Sequence, residues 1–277
     1  MMSKIFITIC AAILFFITCV INEAAPISPL DDPGVYGGLV VHVGCGDGEF
    51  IVALSERETY LIQGLDSEPE NVLAARERLQ TENLTDRASV DSWDGRILPY
   101  VDNIVNLLLI DDPSDLNTLR EEATRVLAPR GVLMANDREA GIWRRLYTKP
   151  VPETIDDWTH FLYGPTNNAV AEDSEVGLPR TLQWECGPKY SRSHEMDVSI
   201  AASVTEGGRL ISIVDRGPAG LLGKNIPDNW VIEARDAFSG VKLWERPMGH
   251  WNWTVWKPEL LELEDWTSLI AQRRLVP

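Results

Sequence analysis

Apolar positions along the chain follow two rhythms. Between residues 36 and 147, continuous apolar runs of strand length alternate with stretches of helical period. Beyond Pro150 the helical period fades, and short strands separated by Gly, Pro, Asn and Asp take over. The first region predicts strands at 38–43, 60–65, 88–90, 103–110 and 132–135. Helices are expected at 49–55, at 67 onward with Val72, Leu73, Arg76 and Leu79 on one face, and at 116–127. Residues 128–131 read as a turn and residues 139–145 as one more helix, so the sheet is expected to stop at five strands. Such alternation implies an α/β fold, a doubly wound parallel sheet whose site lies at the carboxyl ends of the strands. The second region predicts a short strand at 182–184. Four more follow at 198–205, 209–215, 230–235 and 241–244, which together make one antiparallel unit.

The division is placed at residues 148–154, where Pro150 and Pro152 resist helix and favour an extended spacer. Tryptophan changes with it: only Trp93 and Trp143 precede Lys149, and the other eight of the 10 follow. At the opposite end, Lys4 precedes an apolar stretch over residues 5–21, and Ala24-Ala25 stand before Pro26. This reads as a signal peptide within residues 1–25 or as an uncleaved N-terminal anchor, and either would place the rest of the chain outside the cytoplasm. A membrane partner is expected only through that segment.

Charge narrows the partners. Among 277 residues there are 42 Asp and Glu against 25 Lys and Arg, a formal net charge of −17, which repels phosphate backbones and argues against nucleic acid. Of the four cysteines, Cys10 and Cys19 lie in the N-terminal stretch, so no disulfide framework is expected. Cys45 and Cys186 read as small buried thiols, with a single bridge between them left open. His160, His194 and His250 lack the spacing of metal ligands, and no metal site is expected.

Chemistry concentrates after the first strand. It runs directly into Gly44-Cys45-Gly46-Asp47-Gly48, where Gly44 permits a sharp turn, Gly46 lets backbone approach a ligand, and Gly48 lets a helix start against the sheet. A dinucleotide site would need glycine at position 49, which is Glu49. The next strand ends in Asp66, placed to accept hydrogen bonds from two ribose hydroxyls. Ser67 and Glu70 are spaced as a capping box for the helix that follows. Three glycine amides and the Asp66 carboxylate are thus expected to converge on one nucleotide-like ligand.

Several segments together resemble a class I S-adenosylmethionine-dependent methyltransferase. They are Val40-Val41-His42-Val43-Gly44-Cys45-Gly46-Asp47-Gly48, Gly64-Leu65-Asp66, the stretch from Asp94 to Leu98-Pro99, and the run from Glu121 to Leu133. The resemblance implies a Rossmann-like domain over residues 34–147 that binds S-adenosylmethionine, with Gly44, Cys45, Gly46 and Gly48 wrapping the methionine and ribose part. It further implies that Asp66 and Ser67 lie at the ribose and that Trp93 and Asp94 meet the adenine, with methyl transfer to an unknown acceptor. It assigns no catalytic residue. His42 stands where that family usually has Asp or Glu, and Asp112-Pro113-Ser114-Asp115 lacks the second proline and the aromatic found in amino-group methyltransferases.

Farther on, Ala234-Arg235-Asp236-Ala237-Phe238-Ser239-Gly240-Val241-Lys242-Leu243-Trp244 resembles the repeat of quinoprotein-like β-propellers. That resemblance implies an all-β partial propeller of about one blade within residues 155–277. Asp236 and Gly240 would form the turn and Trp244 would pack between blades; pyrroloquinoline quinone, which needs several blades around one axis, is not expected to bind. The alternative to an enzyme is a noncatalytic exported scaffold or binding module that meets a protein partner through the propeller portion.

Overall fold

The computed structural model describes Pro29 and residues 34–175, 177, 182–189, 199–218 and 229–249. The expected N-terminal segment, the strand start at Val198, the histidines His194 and His250, and everything after Gly249 lie outside the described residues.

The first region is built on β1 (Gly38–Val43), α1 (Glu49–Leu54), β2 (Tyr60–Asp66), α2 (Pro69–Thr81), β3 (Ala88–Ser92), β4 (Val105–Ile110), α3 (Leu116–Val126), β5 (Leu127–Asp137) and β6 (Ile142–Thr148). The strands form one sheet in the order β3-β2-β1-β4-β5-β6. β1 to β5 are parallel, and β6 pairs antiparallel with β5. β1 and β4 are buried along their whole length because the sheet is covered on both faces. Val40, Leu107, Leu109 and Met134 pack with α1 and α2 on one side, while Val41, Val43, Leu108 and Leu133 pack with α3 on the other.

Three expectations are corrected here. The sheet has a sixth strand, and residues 142–145 belong to it rather than to a helix. Gly141 turns the chain at φ +66°, and Ile142, Trp143 and Tyr147 suit a pleated surface better than a helix. A bulge at Leu146 reverses the alternation, so Trp143 packs on the α1 face and Tyr147 on the α3 face. Second, residues 128–131 are not a free turn but a distortion within β5, whose register against β4 jumps between Leu127 and Val132, with Arg130 at φ +68°. Third, Ser67 does not cap α2. Glu68 holds the cap position without a side-chain bond, and Asp66 takes over by accepting hydrogen bonds from the Glu68 amide at 2.9 Å and from Asn71 at 3.1 Å.

The second region is a meander of β7 (Ile200–Glu206), β8 (Arg209–Asp215), β9 (Trp230–Asp236) and β10 (Lys242–Gly249), antiparallel throughout. Thr205 of β7 donates its amide to the Trp158 carbonyl and accepts the Trp158 amide at its hydroxyl oxygen. The expected strand at 182–184 is absent, because Gln183 and Trp184 bond through side chains instead of joining a ladder. Pairing of the first sheet continues through Lys149, whose ammonium reaches Asn103 and the Thr124 carbonyl, both at 2.7 Å. Cys45 and Cys186 are free thiols, and Cys186 is exposed where burial was expected.

Candidate functional site

Strand order reverses between β1 and β4, and an open α/β sheet leaves a crevice at the carboxyl ends of such a pair. The glycine turn lies on this crevice. Gly44, Gly46 and Gly48 adopt φ of +73°, +56° and +80°, values that only glycine takes at little cost. Their neighbours differ. A side chain at Gly48 would press on Ala75 of α2 and one at Gly44 on Asp111, whereas at Gly46 nothing among the described residues lies within 4 Å. The turn is therefore packed at both ends and open at its middle.

The turn amides face inward. Gly44 donates to the Leu65 carbonyl at 2.8 Å, Gly48 to the Cys45 carbonyl at 3.1 Å, and Gly46 to Asp66 Oδ2 at 2.8 Å. The expected convergence of glycine amides on a ligand thus takes another form, in which those amides serve the protein and the open middle of the turn offers a cradle. Asp66 is 5 % exposed and binds the turn to the start of α2 through both carboxylate oxygens. With its glycine amides spent, the turn is poorly suited to a phosphate, and the carboxylates nearby favour a cationic ligand.

The other predicted residues follow in order around the crevice. Cys45 is buried beneath the turn against Gly64, where a methyl group would come within 2.8 Å of its sulfur. Burial, with smaller effects of Asp66 and Asp47, pushes its thiol up to about 12, so it is a packing group and no nucleophile. Ser67 is exposed beyond β2, with its hydroxyl 3.4 Å from Glu68. Trp93 donates its amide to the Asp66 carbonyl and its indole to the Ile97 carbonyl at 2.7 Å, which fixes the loop after β3 beside β2. Asp94 is exposed and accepts the Arg96 amide at 3.1 Å. Gly46, Asp66 and Trp93 are joined by direct hydrogen bonds, while Ser67 and Asp94 are linked to them through the chain.

Two features escaped the sequence. Asp111, at the end of β4, donates its amide to Val43 beside the turn and accepts Asn136 Nδ2 at 2.7 Å and Arg138 Nη2 at 2.6 Å. Only its place at a strand end marked Asp111. Asn136 and Arg138 depend on the β5–β6 hairpin, which carried no signal of its own. The second feature surrounds His42, which is 3 % exposed and has no hydrogen-bond partner on either ring nitrogen among the described residues. Phe50 and Trp143 stack at 5.3 Å and both meet its ring edge to face. Burial lowers its pKa to about 4 against the opposing pull of Asp111 and Asp66, so the imidazole is neutral at pH 7.

Residues 40–131 match the family model described as a methyltransferase domain. The first region is a methyltransferase-type domain. Its similarity to the methyltransferase GfsG of Streptomyces halstedii is 33% identity over 106 residues, covering 36% of this chain and 38% of that protein. The chain thus spans well under half the length of this relative. Among solved structures, a SAM-dependent methyltransferase from Aquifex aeolicus is 26% identical over 36% of this chain and 55% of its own, with a TM-score of 0.33. A geranyl diphosphate C-methyltransferase from Streptomyces coelicolor is 18% identical over 36% and 40%, with a TM-score of 0.34.

Proposed function

We propose that the methyltransferase-type domain binds S-adenosylmethionine at the glycine turn and passes its methyl group to an acceptor held at the carboxyl ends of the strands. The observation that supports this most directly is the open middle of the turn at Gly46, locked in place by Asp66. When bound, the cofactor supplies a methyl group on a cationic sulfur. The chain supplies the rest. Gly44, Cys45, Gly46 and Gly48 would form the wall, Asp66 with Ser67 would hold the ribose, and Trp93 with Asp94 would flank the base. Asp111, clamped by Asn136 and Arg138, faces the turn from β4 and would border the acceptor.

A second reading is a noncatalytic binding module with a protein partner. It is favoured by Asp66, whose two oxygens already accept three protein donors, and by neutral His42 in the place of a carboxylate. In both readings we take residues 5–21 as the basis for export and the β7–β10 meander as a propeller blade.

Calorimetric titration of the full chain with S-adenosylmethionine tests the binding. Gly46→Asn places a side chain in the cradle while keeping a residue that tolerates the left-handed backbone. Micromolar binding that weakens at least about tenfold in this variant, with melting within about 2 °C of the parent, is the expected result. No binding, or equal binding by the variant, overturns the proposal. Given binding, failure to lose the methyl group to any of a panel of amines, thiols and hydroxyl compounds favours the second reading.

A further inference from the structure

The amino ends of the first sheet, opposite the glycine turn, carry a polar residue that a buried parallel strand does not need. Asn106 is the second residue of β4, 7 % exposed among neighbours that are fully buried. Its carbonyl oxygen accepts the Leu39 amide at 2.9 Å. Its Nδ2 donates to Asp236 Oδ2, 130 residues away in the second sheet, in a buried bond of 2.9 Å.

Asp236 is prepared for this contact. Its other oxygen accepts the amides of Phe238 and Ser239 at 3.1 and 2.7 Å and the Ser239 hydroxyl at 2.7 Å, closing the turn to Gly240. The surfaces around the pair fit closely. A methyl group at Gly37 would come within 2.4 Å of Leu243, and one at Gly240 within 2.4 Å of Trp184, whose indole donates to the Ala237 carbonyl at 3.0 Å. Gln183 bridges the carbonyls of Asn103 and Phe238 at 3.1 and 3.0 Å, and Arg130 donates to the Gly207 carbonyl. The remaining cavity of about 90 Å³ is too small for a cofactor.

From this geometry we infer that the Asp236–Gly240 turn and the amino ends of β1 and β4 form a keyed intramolecular joint. The Asn106–Asp236 bond makes the meander and the methyltransferase-type domain one folding unit. Linker-joined domains meet through small polar surfaces and move independently by default. Here a one-to-one amide–carboxylate bond is buried, and either partner alone would be a buried polar group without its mate. The joint also fixes the second sheet at the far end of the strands from Gly46. That sheet therefore anchors the domain and does not present the acceptor.

Reversing the polarity of the bond tests the joint in the full chain. Asn106→Asp sets two carboxylates against each other, and Asp236→Asn sets two amide groups together. With both changes, Asp at 106 still accepts the Leu39 amide, and Asn at 236 donates across while keeping its turn bonds. All the described α-helices lie between Glu49 and Val126, so ellipticity at 222 nm during heating reports the methyltransferase-type domain. Each single variant is expected to lower the helical melting midpoint by about 5 °C or more, and the double variant to recover at least half of the loss. A helical midpoint unmoved by Asp236→Asn, or a double variant that loses the sum of the singles or fails to fold, overturns the joint.

Discussion

Asp66 and Asp236 do the same local job in opposite settings. Each carboxylate gathers backbone amides and holds a glycine turn in a left-handed conformation. Gly46, held by Asp66, is open among the described residues, while Gly240, held by Asp236, is covered by Trp184. The difference separates an open turn from a filled one. Both need glycine for the backbone angle, but only at Gly46 does the missing side chain leave room for a ligand. Asp236 spends its last oxygen on Asn106 inside the protein, whereas Asp66 stands at the crevice between β1 and β4.

Filling the two turns is the sharpest way to break this contrast. Gly240→Val adds overpacking against Trp184 to backbone strain and should cost about 4 kcal/mol in denaturant unfolding. Gly46→Asn should leave stability within about 1 kcal/mol of the parent. Equal losses would mean that the two turns do not differ as described.

The next effect is acid sensitivity of the first region alone. His42 titrates at about 4 in the folded chain and near the ordinary imidazole value of 6.5 when unfolded. The unfolded state therefore takes up the proton first. The domain keeps its full stability above pH 6.5 and loses about 3 kcal/mol as pH falls toward 4. His42→Leu should flatten that limb in helical melting followed from pH 7 to pH 4. An unchanged slope would show that the imidazole is not held neutral.

Trp143→Ala removes the ring that stacks on Phe50 and closes over His42, and should cost about 2 kcal/mol while raising the acid midpoint of His42. Chemical denaturation and histidine proton shifts measure the two effects. Smallest of all is Arg76→Gln. Its partner Asp91 is half exposed, and the loss should stay below about 0.5 kcal/mol and vanish in high salt. A larger loss would mark that rim as part of the core.

The first four strands and the glycine turn were legible because their signals are local. An apolar run such as Val40-Val41-His42-Val43 followed by closely spaced glycines has few other ways to fold. The turn from Asp236 to Gly240 was expected only through the resemblance of residues 234–244 to a known repeat. Residues 139–145 misled because the chain there lacks strict alternation, and the Leu146 bulge that sorts Trp143 from Tyr147 exists only once β6 pairs with β5. Ser67 misled because a capping sequence competes with whatever else approaches the helix start, and Asp66 was nearer.

By itself the sequence determined that a strand, a glycine turn and a helix follow one another, that an acidic residue closes the next strand, and that an antiparallel meander comes later. Backbone sterics and hydrophobic period act over a few residues and need no distant partner. Only the tertiary structure decided that the turn amides point inward, that Arg138 and Asn136 hold Asp111, and that His42 lies against two stacked aromatic rings. The same holds for Asn106 meeting Asp236 across 130 residues. These contacts are set by which surfaces the whole fold brings together.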